Sequence, residues 1–240
     1  MQAKACSSPS ASLTSSESKE SANNSKKTDT TSRESRAMPS PKRSPRRSLL
    51  LSIHETVYQA PGCQLYGQIE IGEGSSVWPH CVIRAEANRV HVGRYTNLQD
   101  FSMLHIGFHD EVHVGDFCSI THHATIHGCR IEDECLIGIG AVVMDGAVIG
   151  RGSIVAGGAV IREGSHFDPD SIIAGIPAKK IGERDSRQEN RLNAWHYHYN
   201  ALAYQTGNHR SWSGEEYAQW LEAKKAEIAE DLDLAVLEKS

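Results

Sequence analysis

Aromatic residues fill only 6% of the 240 positions, and long apolar runs are missing. With so few large rings, the core has to be aliphatic and rich in small side chains. A helix that crosses a bilayer needs about 18 or more consecutive apolar residues, so Leu49-Leu50-Leu51 is far too short to span one. No apolar h-region or small-residue cleavage site follows it, which argues against a secretory signal. Hairpin turns at about 8–12-residue intervals are absent too, and with them the generic β-sandwich.

Net charge is −5, unevenly spread. Residues 1–48 hold 10 Lys/Arg and 4 Asp/Glu, which leaves 15 and 26 for the remainder, a net of −11. So acidic a body is a poor nucleic-acid partner. The basic segment 1–48 is Ser-rich and nearly free of large apolar residues. It cannot bury enough surface to offset its ordering entropy and reads as a disordered tail. Ser40-Pro41 and Ser44-Pro45 among arginines make a candidate phosphorylatable patch in it. A mitochondrial transit peptide is acid-poor, and Glu17, Glu20, Asp29 and Glu34 break that pattern. The expected location is therefore cytoplasmic, with the mitochondrial matrix as the alternative.

Six cysteines invite a disulfide reading that their positions oppose. Cys6 lies in the tail and Cys63 precedes the repeats, while Cys81, Cys118 and Cys135 share one repeat position otherwise held by Ala or Ser. They read as small buried hydrophobes in a reducing compartment.

What is present is a strict period of six over residues 49–183. Ile137, Val143, Ile149, Val155, Ile161, Phe167 and Ile173 fall at every sixth position. Four residues after each of the first six comes a small one: Ala141, Ala147, Ser153, Ala159, Ser165, Ser171. The same frame holds upstream at Ile71, Val77, Ile83, then Val92, Leu98, Leu104, then Val114, Ile120, Ile126, and slips to five at Ile131. Neither a helix nor an alternating strand has this period. A triangular coil does: three short strands joined by tight turns, the apolar residue inward and the small one near the crowded corner. Three hexads make a coil of about 18 residues, and coils stack into an all-β parallel solenoid. Glycines at 138, 140, 150, 152, 157 and 158 supply turn conformations.

Residues 184–240 read as C-terminal α-helices. Leu192, Trp195, Tyr199 and Leu202 mark an apolar stripe between Arg187 and Gln205, and Gly207 is a stop. Ser213-Gly214-Glu215-Glu216 reads as a capping box opening a second helix with Tyr217, Trp220, Leu221 and Ile228 on its apolar face.

Six of the 13 histidines fall between residues 105 and 127: His105, His109, His113, His122, His123 and His127. His105 and His122 are 17 residues apart, close to one coil, which places them on similar edges of successive coils. His127 falls around the next corner. One prism does not easily aim His122 and His127 at one atom, whereas two neighbouring prisms do. Three neutral imidazoles with an open fourth position are the arrangement of many catalytic zinc sites.

Val77-Trp78-Pro79, Ile83-Arg84, Asn88-Arg89, Thr96-Asn97-Leu98-Gln99-Asp100, Leu104-His105, His122 and Ile126-His127-Gly128-Cys129 occur in the order found in the γ-class carbonic anhydrases, and from Val77 to Lys180 the chain resembles that family. Ala174-Gly175-Ile176-Pro177-Ala178-Lys179 is similar to the G-x-P-A-K close of hexapeptide-repeat proteins. The resemblance implies a left-handed β-helix, a homotrimer, and a Zn²⁺ site (Fe²⁺ or Co²⁺ also suit imidazoles) held by His105 and His127 of one subunit and His122 of the next. It implies an interfacial ion pair of Arg84 with Asp100, Gln99 as hydrogen-bond partner of the attacking water, and hydration of CO2 to bicarbonate. Glu86 is a candidate proton relay. The chain departs from the family at Ala85-Glu86, at Thr121 and His123 beside the second histidine, and in a short loop after His105; His109, His113 and His123 are spare imidazoles. The alternatives are a hexapeptide acyltransferase or thioesterase acting on acyl-CoA and a non-catalytic scaffold subunit.

Overall fold

A computed structural model describes the chain over residues 51–237, with side chains to residue 232. The Ser-rich tail expected over residues 1–48 lies outside the described residues.

The period of six closes into a three-faced parallel solenoid of stacked coils. Inward positions from Ile71 to Ile161 are buried and form one continuous aliphatic core. Each hydrophobe sits above its equivalent one coil away: Ile137 pairs with Val155, and Val155 with Ile173. One face is an 8-stranded sheet running from Tyr58–Gln59 up to Ala178–Glu183, and the other two faces form one 11-stranded sheet. The long strands Gln64–Ile71 and Val82–Val92 carry that sheet round the corner. There Gly67 pairs with Ala85 but Gln68 pairs with Arg89, so Glu86, Ala87 and Asn88 bulge outward. Gly67 has φ +95°, and a Cβ on it would stand 1.8 Å from the Ala85 carbonyl oxygen, so only glycine fits beneath the bulge.

Two corners repeat a left-handed backbone residue in every coil. One holds His80, Phe101, His123, Gly140 and Gly158; the other holds Gly74, Tyr95, Phe117, Glu134, Gly152 and Asp170. A side chain in that conformation costs on the order of 1 kcal/mol. Ring stacking offsets it: His80 on Phe101 and Phe101 on His123 at 5.0 Å, Tyr95 on Phe117 at 5.4 Å. Small residues near one edge use their polar atoms to tie coil to coil. Ser75 donates to the Gly93 carbonyl, Thr96 to Gly115, Cys118 to Glu132 and Cys135 to Gly150. Burial pushes the Cys81 and Cys129 thiols up to about 12, and the five cysteines of the described region are free.

Helix α1 (Arg187–Gln205) runs down the 8-stranded face from the late coils to the first. Asn190 donates to the Glu134 carbonyl, Asn193 to Ser119 Oγ, His198 Nδ1 faces the Gly74 carbonyl, and Tyr204 packs on Trp78. The expected apolar stripe holds in part: Trp195 packs on Tyr95 of the solenoid and Tyr199 on Trp220 of the second helix. Asn190, Ala194 and Ala201 are the buried residues, while Leu202 is 49% exposed. The face against a sheet that itself displays Ser and Asn carries amides and alanines flanked by Trp195, Tyr197 and Tyr204, so hydrogen bonds and ring contacts rather than leucine dock it. Helix α2 (Glu215–Leu237) packs on α1 through Tyr217 and Trp220, with Ile228 buried. The capping box does not form: the Ser213 hydroxyl donates back to the Arg210 carbonyl, and the Gly214 carbonyl accepts the first helical bond.

Candidate metal centre

The ladder, not the count of about 18, decides which histidines meet. Arg84, His105 and His127 are register partners on successive coils. His105 and His127 are 22 residues apart because the coil between them is enlarged by the excursion from Ile106 to Glu111. The expectation that His105 and His122 share an edge is thus corrected. His105 Nδ1 lies 3.0 Å from His127 Nε2, with the ring planes at 62°. His122 sits on another edge beside Asp100, and its Nε2 is 3.5 Å from the Tyr197 hydroxyl. Among the described residues of one chain, no group of three or more His, Cys, Asp or Glu is arranged to hold a metal ion.

Each of the three imidazoles leans on a carboxylate. His105 Nε2 is 3.2 Å from Glu86, His122 Nδ1 is 3.1 Å from Asp100, and His127 Nδ1 is 2.6 Å from Asp145. An N–H donated to a carboxylate fixes the tautomer and leaves a lone pair on the opposite nitrogen, the usual environment of a metal-ligating histidine. With those tautomers, His105 Nδ1 and His127 Nε2 turn two lone pairs toward each other at 3.0 Å. At that distance either one ring N–H bridges the pair or a shared cation does. Two nitrogens about 2.05 Å from a tetrahedral ion stand about 3.3 Å apart, so the donor set fits a metal such as zinc.

The remaining residues drawn from the sequence fall as follows. Arg84 pairs with Glu86 at 2.5 Å, not with Asp100, within the chain. The Glu86 carboxyl is held below its ordinary range; slight desolvation opposes this, and its backbone hydrogen bond, Arg84 and His105 outweigh it. Gln99 is buried and donates to Asn97 Oδ1, within a network that reaches Ser119 and α1. Of the spare imidazoles, His109 is exposed against Phe108 and His123 is in the corner stack. His113 stacks on His91 at 4.9 Å, and burial, with Arg130 and His91 beside it, lowers its pKa.

Two residues escaped the sequence reading. Asp145 lies one coil above His127, 18 residues on, and the repeat could have found it. Tyr197 arrives from α1, and nothing local signals its position. It lines a cavity of about 540 Å³ with Trp78, Asp100, His122, Arg210 and Trp212. Burial, then the Asp100 charge and Tyr204, push the Tyr197 hydroxyl up to about 12.

Coil, corner and closing hairpin define a hexapeptide-repeat protein, and the family described as "Bacterial transferase hexapeptide (six repeats)" matches residues 128–163. The chain is similar to the probable carbonic anhydrase of Methanocaldococcus jannaschii, 46% identical over 131 residues that cover 55% of this chain and 82% of that protein. It is 38% identical to γ carbonic anhydrase 3, mitochondrial, of Arabidopsis thaliana over 189 residues, 75% of this chain and 72% of the relative. The match to γ carbonic anhydrase 1, mitochondrial, of the same plant is 41% over 100 residues and covers 39% of this chain but only 36% of the relative. A solved structure of a candidate acetyltransferase of Bacillus cereus superposes with TM-score 0.63 at 28% identity, covering 65% of this chain and 92% of that one. The chain belongs to the γ-carbonic anhydrase family of hexapeptide-repeat proteins. Among the described residues no helix is long and apolar enough to cross a membrane.

Proposed function

We propose that the protein catalyses the reversible hydration of CO2 to bicarbonate at metal centres shared between the subunits of a homotrimer. The observation that carries this reading is the carboxylate on each of His105, His122 and His127. Three imidazoles, each set against a carboxylate, make a ligand set that His122 would complete from a second copy. Zn²⁺ suits the set best; Fe²⁺ and Co²⁺ also accept imidazole. A metal held there would provide the nucleophile, a bound water with a pKa of about 7.

The chain does the rest. Asp100 orients His122, Glu86 orients His105, and Arg84, 45% exposed, is open to the Asp100 of a neighbouring copy. Gln99 would direct the attacking water from a buried, hydrogen-bonded position. Tyr197 and Trp78 line the cavity beside His122. The exposed stack of His80, Phe101 and His123, next to His122 in sequence, supports this corner as the surface that meets a second copy. The names of the Arabidopsis relatives support a mitochondrial location over the cytoplasm.

Stopped-flow CO2 hydration by the metal-loaded wild type and His122→Ala proteins tests the reading. Wild type should exceed the buffer rate, with activity rising through about pH 7, and the variant should not. Equal background rates for both defeat the enzyme and favour the scaffold. The Bacillus cereus neighbour supports a second reading, acyl transfer from acyl-CoA with a single histidine base. Turnover of acyl-CoA that survives a metal chelator would select it.

A further inference from the structure

We propose that Asp145 is the positioning residue of His127: its carboxylate takes the Nδ1 proton in a hydrogen bond, fixes the ring, and so turns Nε2 toward the metal. The inference rests on the metal-centre reading above and adds to it a residue that the resemblance and the comparisons leave unassigned.

The contact is the shortest of the three histidine–carboxylate pairs, 2.6 Å against 3.1 and 3.2 Å. It is also the one whose surroundings are built around it. An added Cβ at Gly107 would stand 2.6 Å from Asp145 Oδ1, and one at Gly128 would stand 2.1 Å from the same oxygen. Those glycines follow His105 by two residues and His127 by one, on successive coils. Both edges of the pair of imidazoles are thus cleared of side chains where the carboxylate lies. Backbone rungs hold Asp145 from both sides: Gly146 N–H donates to the Gly128 carbonyl at 2.7 Å, and Gly164 N–H to the Asp145 carbonyl at 2.8 Å. Among the described residues no Lys or Arg stands within ion-pair distance of Asp145, so its charge is left to the imidazole. The two side chains are 27% and 32% exposed, so the bond is only partly open to water. A loose histidine ring would instead spend part of its time with the proton on Nε2, where no metal binds.

Three variants of the full chain separate positioning from bulk. Asp145→Ala removes the acceptor. Asp145→Asn keeps the shape and an acceptor oxygen. Gly107→Ala keeps Asp145 but drives its carboxylate away, at a position without a left-handed φ. Zn²⁺ affinity by chelator competition should fall about 10–100-fold for Asp145→Ala, less for Gly107→Ala, and recover toward wild type in Asp145→Asn. In the metal-free protein, ¹⁵N NMR of His127 should find the proton on Nδ1 in wild type and shifted toward Nε2 in Asp145→Ala and Gly107→Ala. If Asp145→Ala fails to fold, Gly107→Ala carries the measurement. Wild-type affinity together with an unchanged tautomer in Asp145→Ala and Gly107→Ala would overturn the assignment. A wild type that binds no Zn²⁺ would instead overturn the metal centre, and the tautomer would still judge Asp145.

Discussion

Glu134 is the buried charge on which α1 docks, and replacing it should detach that helix. Its side chain is 3% exposed, 2.8 Å from Arg151 Nε and 3.7 Å from Arg191 Nε. Arg191, 12% exposed, belongs to α1 and has one other carboxylate partner among the described residues, the half-exposed Asp231 at 3.1 Å. Removing one member of a buried ion pair costs about 3–5 kcal/mol because the other charge stays behind. Arg151 is 35% exposed and water screens its loss, and Asp231 retains part of Arg191. Those two facts place Glu134→Ala near the low end, about 3 kcal/mol. The backbone adds a second handle, since Glu134 has φ 59°. Glycine there regains about 1 kcal/mol of left-handed strain, so Glu134→Gly should be about that much more stable than Glu134→Ala. Urea unfolding followed by tryptophan fluorescence reads both, because Trp195 on α1 packs 4.5 Å from Tyr95 and under Lys224. An alanine variant within about 0.5 kcal/mol of wild type, or a glycine variant less stable than alanine, refutes the reasoning.

Ile126, fully buried between Leu104 and Val143 in the ladder that carries both histidines, should cost about 2–5 kcal/mol as Ile126→Ala by thermal or urea melting. Acid should loosen the helices. Burial lowers the pKa of His196 and His198, with Lys225 and Lys224 adding to it and the Gly74 carbonyl opposing it at His198. A lowered folded pKa means stability that is full above the unfolded value of about 6.5 and lost as pH falls through it, at up to about 1.4 kcal/mol per pH unit for each extra proton taken up. Unfolding free energies at pH 7.5, 6.5 and 5.5 should show that fall and a shallower one in His198→Gln. Mass-resolved thiol labelling at pH 8 should leave Cys81 and Cys129 unmodified in the folded protein, since burial holds them as thiols.

The solenoid was legible because one physical pattern, an inward hydrophobe every sixth residue, repeats through Ile173 with its small companion. Positions such as Ile137 and Cys118 landed where the frame puts them. Coil length was less legible. Insertions at one corner, Glu86 to Asn88 and Ile106 to Glu111, lengthen the early coils without disturbing the frame of inward residues. They change which outward residues stack, so His105 meets His127 and not His122. The docking face of α1 was misread in part, for a different reason. A periodicity argument looks for apolar stripes, and this interface joins the rings of Trp195, Tyr197 and Tyr204 to Asn190, Asn193 and His198, which reach backbone and hydroxyl groups. Tyr197 reaches His122 only because the chain returns 75 residues later along the same face.

The central claim is a site that no single chain completes, and subunit mixing tests it most directly. His122→Ala and His127→Ala subunits, each assembled alone, should hold no tightly bound zinc. Co-assembled at equal ratio, random trimers place one intact interface in each mixed trimer, so element analysis should recover about a quarter of the wild-type metal. Recovery of none, with mixed trimers verified by native mass spectrometry, would contradict a centre built from His105 and His127 of one subunit and His122 of the next.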